Sequence, residues 1–176
     1  MTTVFFDVDT QLDFLYPAGA LYVPGAEKLV PTLEKLTRYA AEHGFPMIAT
    51  MDAHSEDDPE FQRWKPHCVV GTAGQQKVSG TRAPGQIVIE KQTVDCFSNP
   101  NLNPLVEQLK ADRFVVYGVA TEVCVQRAAF GLLKTGARVE VVSDAIKGIR
   151  AEDEQQMLER FRAAGGSTLK SSDVLA

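Results

Sequence analysis

One cysteine of the chain lies where a strand-like segment gives way to a helix-like one. Phe114–Tyr117 is a short apolar run with strand propensity, Gly118 ends it, and from Val125 onward the apolar residues recur at helical spacing. This pattern predicts that Cys124 lies in the first turn of the helix, with Thr121 as its cap. Unpaired N–H groups and the helix dipole favour an anion there, so we expect a lowered thiol pKa and a nucleophile. The alternative is a small buried apolar residue, which describes most single cysteines.

A base for this thiol must come from another part of the chain. Of the three histidines, His43 falls at the end of a predicted helix and the other two lie in a loop among carboxylates, so none is free to serve Cys124. Asp9, directly after the predicted strand Thr3–Val8, is therefore the candidate base, and Lys91 at the end of another strand could hold it ionised. The alternative for Asp9 and Lys91 is a buried structural ion pair.

The segment from residue 52 to residue 85 is polar and irregular, and a loop of that length inside a compact domain is usually functional. Four of its side chains are candidate ligands for a divalent ion: Asp52, His54, Glu60 and His67. Asp52 and His54 are two residues apart on an extended segment and therefore share a face. Such mixed ligands suit Zn²⁺, Mn²⁺ or Fe²⁺. The alternative is a solvated acidic loop, because further carboxylates lie in the same segment.

The elements that must position these residues alternate between strands and helices. Six strands are predicted: Thr3–Val8, Pro46–Met51, Gln86–Glu90, Phe114–Tyr117, Arg138–Ser143 and an edge strand Ser167–Leu169. Helices are predicted between them: Ala26–His43, Pro104–Lys110, the segment after Val125 and Ala151–Ala164. This order indicates a single α/β domain over residues 1–176 with a mostly parallel sheet. Because ligands bind beyond the carboxyl ends of parallel strands, we expect the candidate residues to meet on one rim.

Composition limits the classes of function open to the chain. A length of 176 residues suits one domain with a sizeable core. The net charge of -5 and the lack of a basic cluster argue against nucleic-acid binding, and no apolar run is long enough to span a membrane. No signal peptide is visible, and the three scattered cysteines Cys68, Cys96 and Cys124 predict a reducing compartment. We therefore expect a cytoplasmic location.

Three blocks of sequence, taken together, resemble one known family. They are Asp9–Phe14 with the following PAGALYVPGAE, the segment from Asp52 to Cys68 with WKPHC at its end, and Gly118–Val125 with the sequence GVATEVCV. Lys91 falls between the second and third blocks. In this order the chain resembles the isochorismatase-like cysteine hydrolases, and among them the nicotinamidase-type members. Thr10 stands where that family usually has an apolar residue.

The resemblance implies a three-layer Rossmann-like fold, with a mostly parallel sheet of about six strands flanked by helices. It implies a catalytic triad of Asp9, Lys91 and Cys124. It also implies a cis peptide bond between Val119 and Ala120, and an oxyanion hole made by the backbone N–H groups of Ala120 and Cys124.

The resemblance further implies a bound divalent metal, Zn²⁺ first, with Mn²⁺ or Fe²⁺ as alternatives. The implied ligands are Asp52, His54 and His67, with Glu60 at a position where the ligand varies among relatives. Residues expected to line the substrate pocket are Phe14, Trp64 and Val119. An aromatic pocket wall is one interpretation of Phe14 and Trp64, and ordinary core packing is the other.

The activity implied is hydrolysis of the C–N amide bond of a small molecule, with nicotinamide as the first candidate, through a thioester on Cys124. Alternatives are an isochorismatase-type hydrolase, another small amide, carbamoyl or ureido amidohydrolase, and a catalytically idle binding or oligomeric scaffold. A redox protein is disfavoured because no C-x-x-C pair occurs. The expected partners are a small amide substrate and further copies of the chain in a homo-oligomer, with neither nucleic acid nor membrane.

Overall fold

The computed structural model describes residues 1–176 and contains one six-stranded sheet. Its strands are β1 (Thr3–Val8), β2 (Met47–Asp52), β3 (Ile87–Lys91), β4 (Arg113–Val119), β5 (Arg138–Lys147) and β6 (Ser167–Leu169). They lie in the order β3-β2-β1-β4-β5-β6, and every neighbouring pair is parallel. The predicted six-stranded parallel α/β sheet is confirmed.

Six helices accompany the sheet: α1 (Leu12–Leu15), α2 (Val30–Glu42), α3 (Leu102–Leu109), α4 (Gln126–Leu133), α5 (Ala151–Ala163) and α6 (Ser171–Val174). The helix predicted over residues 26–43 begins with a 3-10 turn, because Pro31 fits only the first turn of an α-helix. The single-turn helices α1 and α6 were not predicted, since four residues are too few to show a helical period. No helix in the chain is both long and apolar enough to cross a lipid bilayer.

The sheet separates two apolar cores. Val4, Phe6 and Val8 of β1 face a core that includes side chains of α3, α4 and α5. Phe5 faces the opposite core, which includes side chains of α2 and α6. With both faces covered, the central strands read as continuous apolar runs rather than as alternating patterns.

Gly118 does not end the fourth strand as predicted but lies inside it, with φ of +121°. A Cβ at this position would overlap the carbonyl oxygen of Val8 on the neighbouring strand. Glycine therefore lets β1 and β4 approach closely at their carboxyl ends.

The connections from β1 and β4 run to opposite sides of the sheet, so the crevice between these two strands is a topological switch point. Asp9 follows β1 there, and the turn that carries Cys124 follows β4. Asp52 and Lys91 are the last residues of β2 and β3 and lie at the same end of the sheet.

Candidate active site

Cys124 lies in a single π-helical turn that joins β4 to α4. Thr121 does not cap this turn as predicted, because its hydroxyl donates to Glu154 Oε2 at 2.9 Å. The neighbouring Glu122 accepts a hydrogen bond from the backbone N–H of Ile149 at 2.8 Å. The turn is thereby fastened both to α5 and to the segment that precedes it.

The three residues of the expected triad meet at the carboxyl end of the sheet. Lys91 Nζ lies 2.9 Å from Asp9 Oδ2 and 3.6 Å from Cys124 Sγ, and it also contacts Asp52 Oδ1. Thr50 on β2 donates its hydroxyl hydrogen to Asp9 Oδ1 at 2.6 Å. All of these side chains are buried. The carboxylate, the ammonium and the sulfur therefore form one contact group, although they come from three different strand ends.

Burial controls the charge of this group. It raises the pKa of the Cys124 thiol well above its usual value and outweighs the nearby Lys91 ammonium, which acts in the opposite direction. The prediction that the helix terminus lowers the pKa of the Cys124 thiol is therefore wrong. Burial also raises the pKa of Asp9 despite its contact with Lys91. The thiol holds its proton at rest, beside a carboxylate that can receive it.

Lys91 keeps its positive charge in this buried position. Burial acts to lower its pKa, but the neighbouring carboxylates of Asp9 and Asp52 outweigh that effect and raise it well above the usual value.

A group with the composition of a metal site lies next to the triad. One ligand atom from each of Asp52, His54 and His67 falls within 4.8 Å of the others, and all three residues are buried. His54 Nε2 is 3.5 Å and His67 Nε2 is 3.3 Å from Asp52 Oδ2. His54 Nε2 has no hydrogen-bond partner, although it is buried. One carboxylate and two imidazoles facing one point fit the ligand set of a zinc-like divalent ion.

The second ring nitrogen, Nδ1, of each histidine also has an oxygen atom beside it. Asp58 Oδ2 lies 3.0 Å from His54 Nδ1, and the carbonyl oxygen of Lys65 lies 2.6 Å from His67 Nδ1. Such outer contacts orient an imidazole so that its remaining nitrogen faces the metal position. Burial acts to lower the pKa of His54, but the neighbouring carboxylates of Asp52 and Asp58 outweigh it and raise the pKa.

A cavity of about 130 Å³ opens onto both groups. Its apolar walls come from several elements: Phe14, Leu21, Tyr22, Val23, Trp64, Val94, Val119, Ala120, Val123 and Ile149. Cys124, Asp52 and His67 also line it, as does Glu60. The structure thus brings Phe14, Trp64 and Val119 to one cavity. Glu60 faces the same cavity but is not part of the three-residue group whose ligand atoms lie within 4.8 Å of one another.

The backbone before the cysteine has the form that the resemblance implies. The Val119–Ala120 peptide bond is cis. The N–H of Ala120 makes no backbone hydrogen bond, and both Ala120 and Cys124 line the cavity. This arrangement leaves a donor available to a substrate oxygen next to the sulfur.

Several residues that shape the site were not singled out from the sequence. The Gln11 side-chain amide donates to the carbonyl oxygen of Asp52 and accepts from its N–H, each at 2.8 Å. Thr50 donates a hydrogen bond to Asp9, and the carboxylate of Asp58 contacts the imidazole of His54. Thr50 lies two residues before Asp52 on β2, and this same-face spacing was the signal that could have revealed it.

The sequence profile of the isochorismatase domain matches residues 3–173. The chain belongs to the isochorismatase family. This is the family expected from the three sequence blocks, and its relatives place the chain with the nicotinamidase-type members.

Three relatives of this isochorismatase-family chain illustrate the similarity. The nicotinamidase/pyrazinamidase of Mycobacterium tuberculosis is 28% identical, over 94% of this chain and 97% of the relative. The crystal structure of the pyrazinamidase of Pyrococcus horikoshii in complex with zinc superposes with a TM-score of 0.90 at 32% identity, covering 97% of this chain and 99% of that one. PnC1 of L. infantum in complex with nicotinate gives a TM-score of 0.86 at 31% identity, covering 97% and 93%.

Proposed function

We propose that this protein is a metal-containing cysteine hydrolase that cleaves nicotinamide to nicotinate and ammonia. The observation that carries the proposal is the contact group of Asp9, Lys91 and Cys124 at the base of an apolar cavity, beside the Asp/His/His group. The names of the relatives support the choice of substrate.

The first half of the reaction forms a thioester. Asp9 accepts the thiol proton of Cys124 as the sulfur attacks the carbonyl carbon of the amide. The charge that develops on the carbonyl oxygen is stabilised by the N–H groups of Ala120 and Cys124, and such a donor contributes about 3 kcal/mol in other acyl-transfer enzymes. Asp9 then returns the proton to the amide nitrogen, which leaves as ammonia. Lys91 stabilises the anionic forms of both Asp9 and the sulfur.

The second half of the reaction is hydrolysis of the thioester. Asp9 accepts a proton from a water molecule, the water oxygen attacks the thioester carbon, and the Cys124 sulfur leaves and regains a proton. The acid product departs, and the free thiol is restored.

Asp52, His54 and His67 would hold the metal, and Glu60, which faces the same cavity, remains a candidate for a further ligand. When bound, the metal supplies a Lewis acid that can bind a ring nitrogen or a water molecule of the substrate complex. Phe14, Trp64 and Val119 are proposed to pack against the substrate ring.

The charges that line the cavity favour a neutral amide over the alternatives with a carboxylate. No lysine or arginine lines the cavity, whereas Asp52 and Glu60 both do. A ureido acid or an isochorismate-like dicarboxylate would therefore find no arginine or lysine in the cavity lining to bind its carboxylate groups.

The test is ammonia release from purified protein over a panel that contains nicotinamide and N-carbamoylsarcosine, with added zinc and with a chelator. We expect release from nicotinamide in the zinc arm, loss of that release with chelator, and none from the ureido acid. The Cys124→Ala variant should keep its fold by circular dichroism and lose turnover. Amidase activity of Cys124→Ala close to wild type would refute the mechanism, and release from the ureido acid alone would refute the substrate.

A further inference from the structure

A buried ion pair lies in the apolar core below the active site. Asp7 of β1 points to the same side of the sheet as Phe5 and stands opposite Tyr117 of β4. Lys77, from the long loop, places its Nζ 2.6 Å from Asp7 Oδ2, and both side chains are at most 2% exposed. Each buried charge loses its hydration. A buried ion pair therefore adds little to the free energy of unfolding compared with apolar residues of similar volume, so stability alone does not explain this pair.

Thr10 completes this group. Its hydroxyl accepts from Lys77 Nζ at 2.6 Å, and its one hydrogen faces two acceptors, Asp7 Oδ2 at 3.0 Å and Thr81 Oγ1 at 2.9 Å. Thr10 is also the residue that departs from the apolar type usual at this position in the resemblance described above. Three polar side chains that lie next to one another in the fold therefore form one hydrogen-bonded unit, which we call the Asp7–Thr10–Lys77 group.

This group contacts the turn that carries the proposed base, Asp9. Asp9 has φ of +51°, a left-handed conformation that residues other than glycine rarely adopt. Thr10, the next residue, is fixed through its hydroxyl by the group and through its carbonyl oxygen, which accepts from the N–H of Val78 at 3.0 Å. The backbones of Lys77 and Gln11 also form an isolated antiparallel β-bridge, so the turn contacts the long loop as well as β1.

None of the three side chains lines the cavity, so none of them is placed to touch substrate. The geometry points to a positioning role: the Asp7–Thr10–Lys77 group holds the left-handed turn at Asp9 and so keeps the Asp9 carboxylate in place to accept the Cys124 proton. This inference rests on the proposed function of Asp9 and Cys124. The Asp7–Thr10–Lys77 group thus supports Asp9 from outside the triad.

The experiment compares Thr10→Val, which removes the hydroxyl and keeps the shape, with Thr10→Ser, which keeps the hydroxyl. Two rates are measured: kcat for ammonia release, and alkylation of Cys124 by iodoacetamide followed by mass spectrometry of its peptide. For Thr10→Val we expect both rates to fall about tenfold with KM unchanged, because a small misplacement of a catalytic group has effects of at least this size. Thr10→Ser should restore both rates.

Thr37→Val is the matched control, because Thr37 is a buried threonine on α2 whose hydroxyl makes no hydrogen bond to Asp7, Thr10 or Lys77. It should leave both rates at the wild-type values. The double variant Asp7→Val with Lys77→Met removes both charges together and avoids leaving one buried alone, so it should fold and show the same two losses as Thr10→Val.

Folded Thr10→Val and double variants that alkylate and turn over at wild-type rates would overturn the inference, as would a rise in KM without a fall in kcat. A wild-type Cys124 that is alkylated readily but releases no ammonia from nicotinamide would refute the proposed substrate, and the alkylation comparison would still decide this inference. A wild-type Cys124 that is not alkylated, in a protein that also releases no ammonia from any amide of the panel, would refute both.

Discussion

At the scale of single residues, Asp52 is the point where two sets of contacts meet. Its Oδ1 contacts Lys91 of the triad, whereas its Oδ2 faces His54 and His67. Burial acts to raise the pKa of Asp52, but Lys91 and the two histidines outweigh it and lower the pKa below its usual range. The carboxylate therefore stays ionised, and one side chain links the triad to the metal group.

The orientation of His54 by Asp58 leads to a first prediction at this scale. Asp58→Asn should weaken zinc binding by about tenfold to a hundredfold, because a metal-bound imidazole depends on the partner of its other nitrogen. Isothermal titration of metal-free protein with zinc measures the effect. Asp57→Asn is the matched control, since Asp57 is an exposed neighbour. Equal affinities of the two variants would show that Asp58 does not support the site.

The raised pKa of His54 leads to a second prediction. Only the neutral imidazole binds a metal, and Asp52 and Asp58 favour the protonated ring. Zinc affinity of the metal-free protein should therefore fall as the pH is lowered, and the fall should begin at a higher pH than for an ordinary histidine. Titrations with zinc over a pH series give the profile. An affinity that stays constant from neutral to mildly acidic pH would contradict this expectation.

At the scale of elements, the contacts at the ends of strands and helices decide how the site is assembled. The turn that carries Cys124 is held by side chains of its own element and of α5, through Glu122 and Glu154, rather than by a local cap. The short helix α6 is held in a comparable way: Asp144 on β5 accepts hydrogen bonds from both the N–H and the hydroxyl of Ser171, each at 2.7 Å.

The contact between Asp144 and Ser171 gives a third prediction. Burial acts to raise the pKa of Asp144, but the Ser171 hydrogen bonds outweigh it and lower the pKa. A lowered folded-state pKa means stability that is present above the unfolded pKa and lost as the pH falls through the folded pKa. Asp144→Asn should therefore reduce the free energy of unfolding by about 1 kcal/mol at neutral pH.

Urea unfolding at neutral and acidic pH tests this prediction. The difference between wild type and Asp144→Asn should shrink once the pH is below the ordinary aspartate range. Ser171→Ala should cost less when it is added to Asp144→Asn than when it is made alone, because the two residues share one interaction. A difference that does not change with pH would contradict the assignment.

At the scale of the whole molecule, the candidate metal group brings the end of strand β2 together with the loop that follows it. Asp52 ends β2, whereas His54 and His67 belong to the loop that crosses the rim. An ion held by all three would bind the folded chain and not the unfolded one, and would therefore stabilise it.

A fourth prediction follows from this linkage. Zinc at one hundred times its dissociation constant should add about 2.7 kcal/mol to the free energy of unfolding. That gain should raise the Tm by several degrees, and a chelator should reverse it. The double variant Asp52→Ala with His54→Ala should not respond to zinc and should contain no bound metal by elemental analysis. Unchanged metal content in that variant would refute the ligand assignment.

Much of the site could be predicted because its residues are marked by local patterns. Apolar runs identify the strands, and parallel strands end at a common rim, so Asp9, Asp52 and Lys91 could be assigned to one edge before any coordinates. Element boundaries were less accurate where the reason was not local. Gly118 was expected to end β4, yet it stays within the strand because of its contact with β1.

The sequence by itself determined the α/β fold class, the family and the residue types that come together at the rim, because these depend on short-range periodicity and on compact blocks. Only the tertiary structure decided that burial raises the pKa of Cys124 and that Asp7 meets Lys77, seventy positions further along the chain. Desolvation and pairing across such a separation depend on which segments pack against each other. A local pattern of residue types does not contain that information.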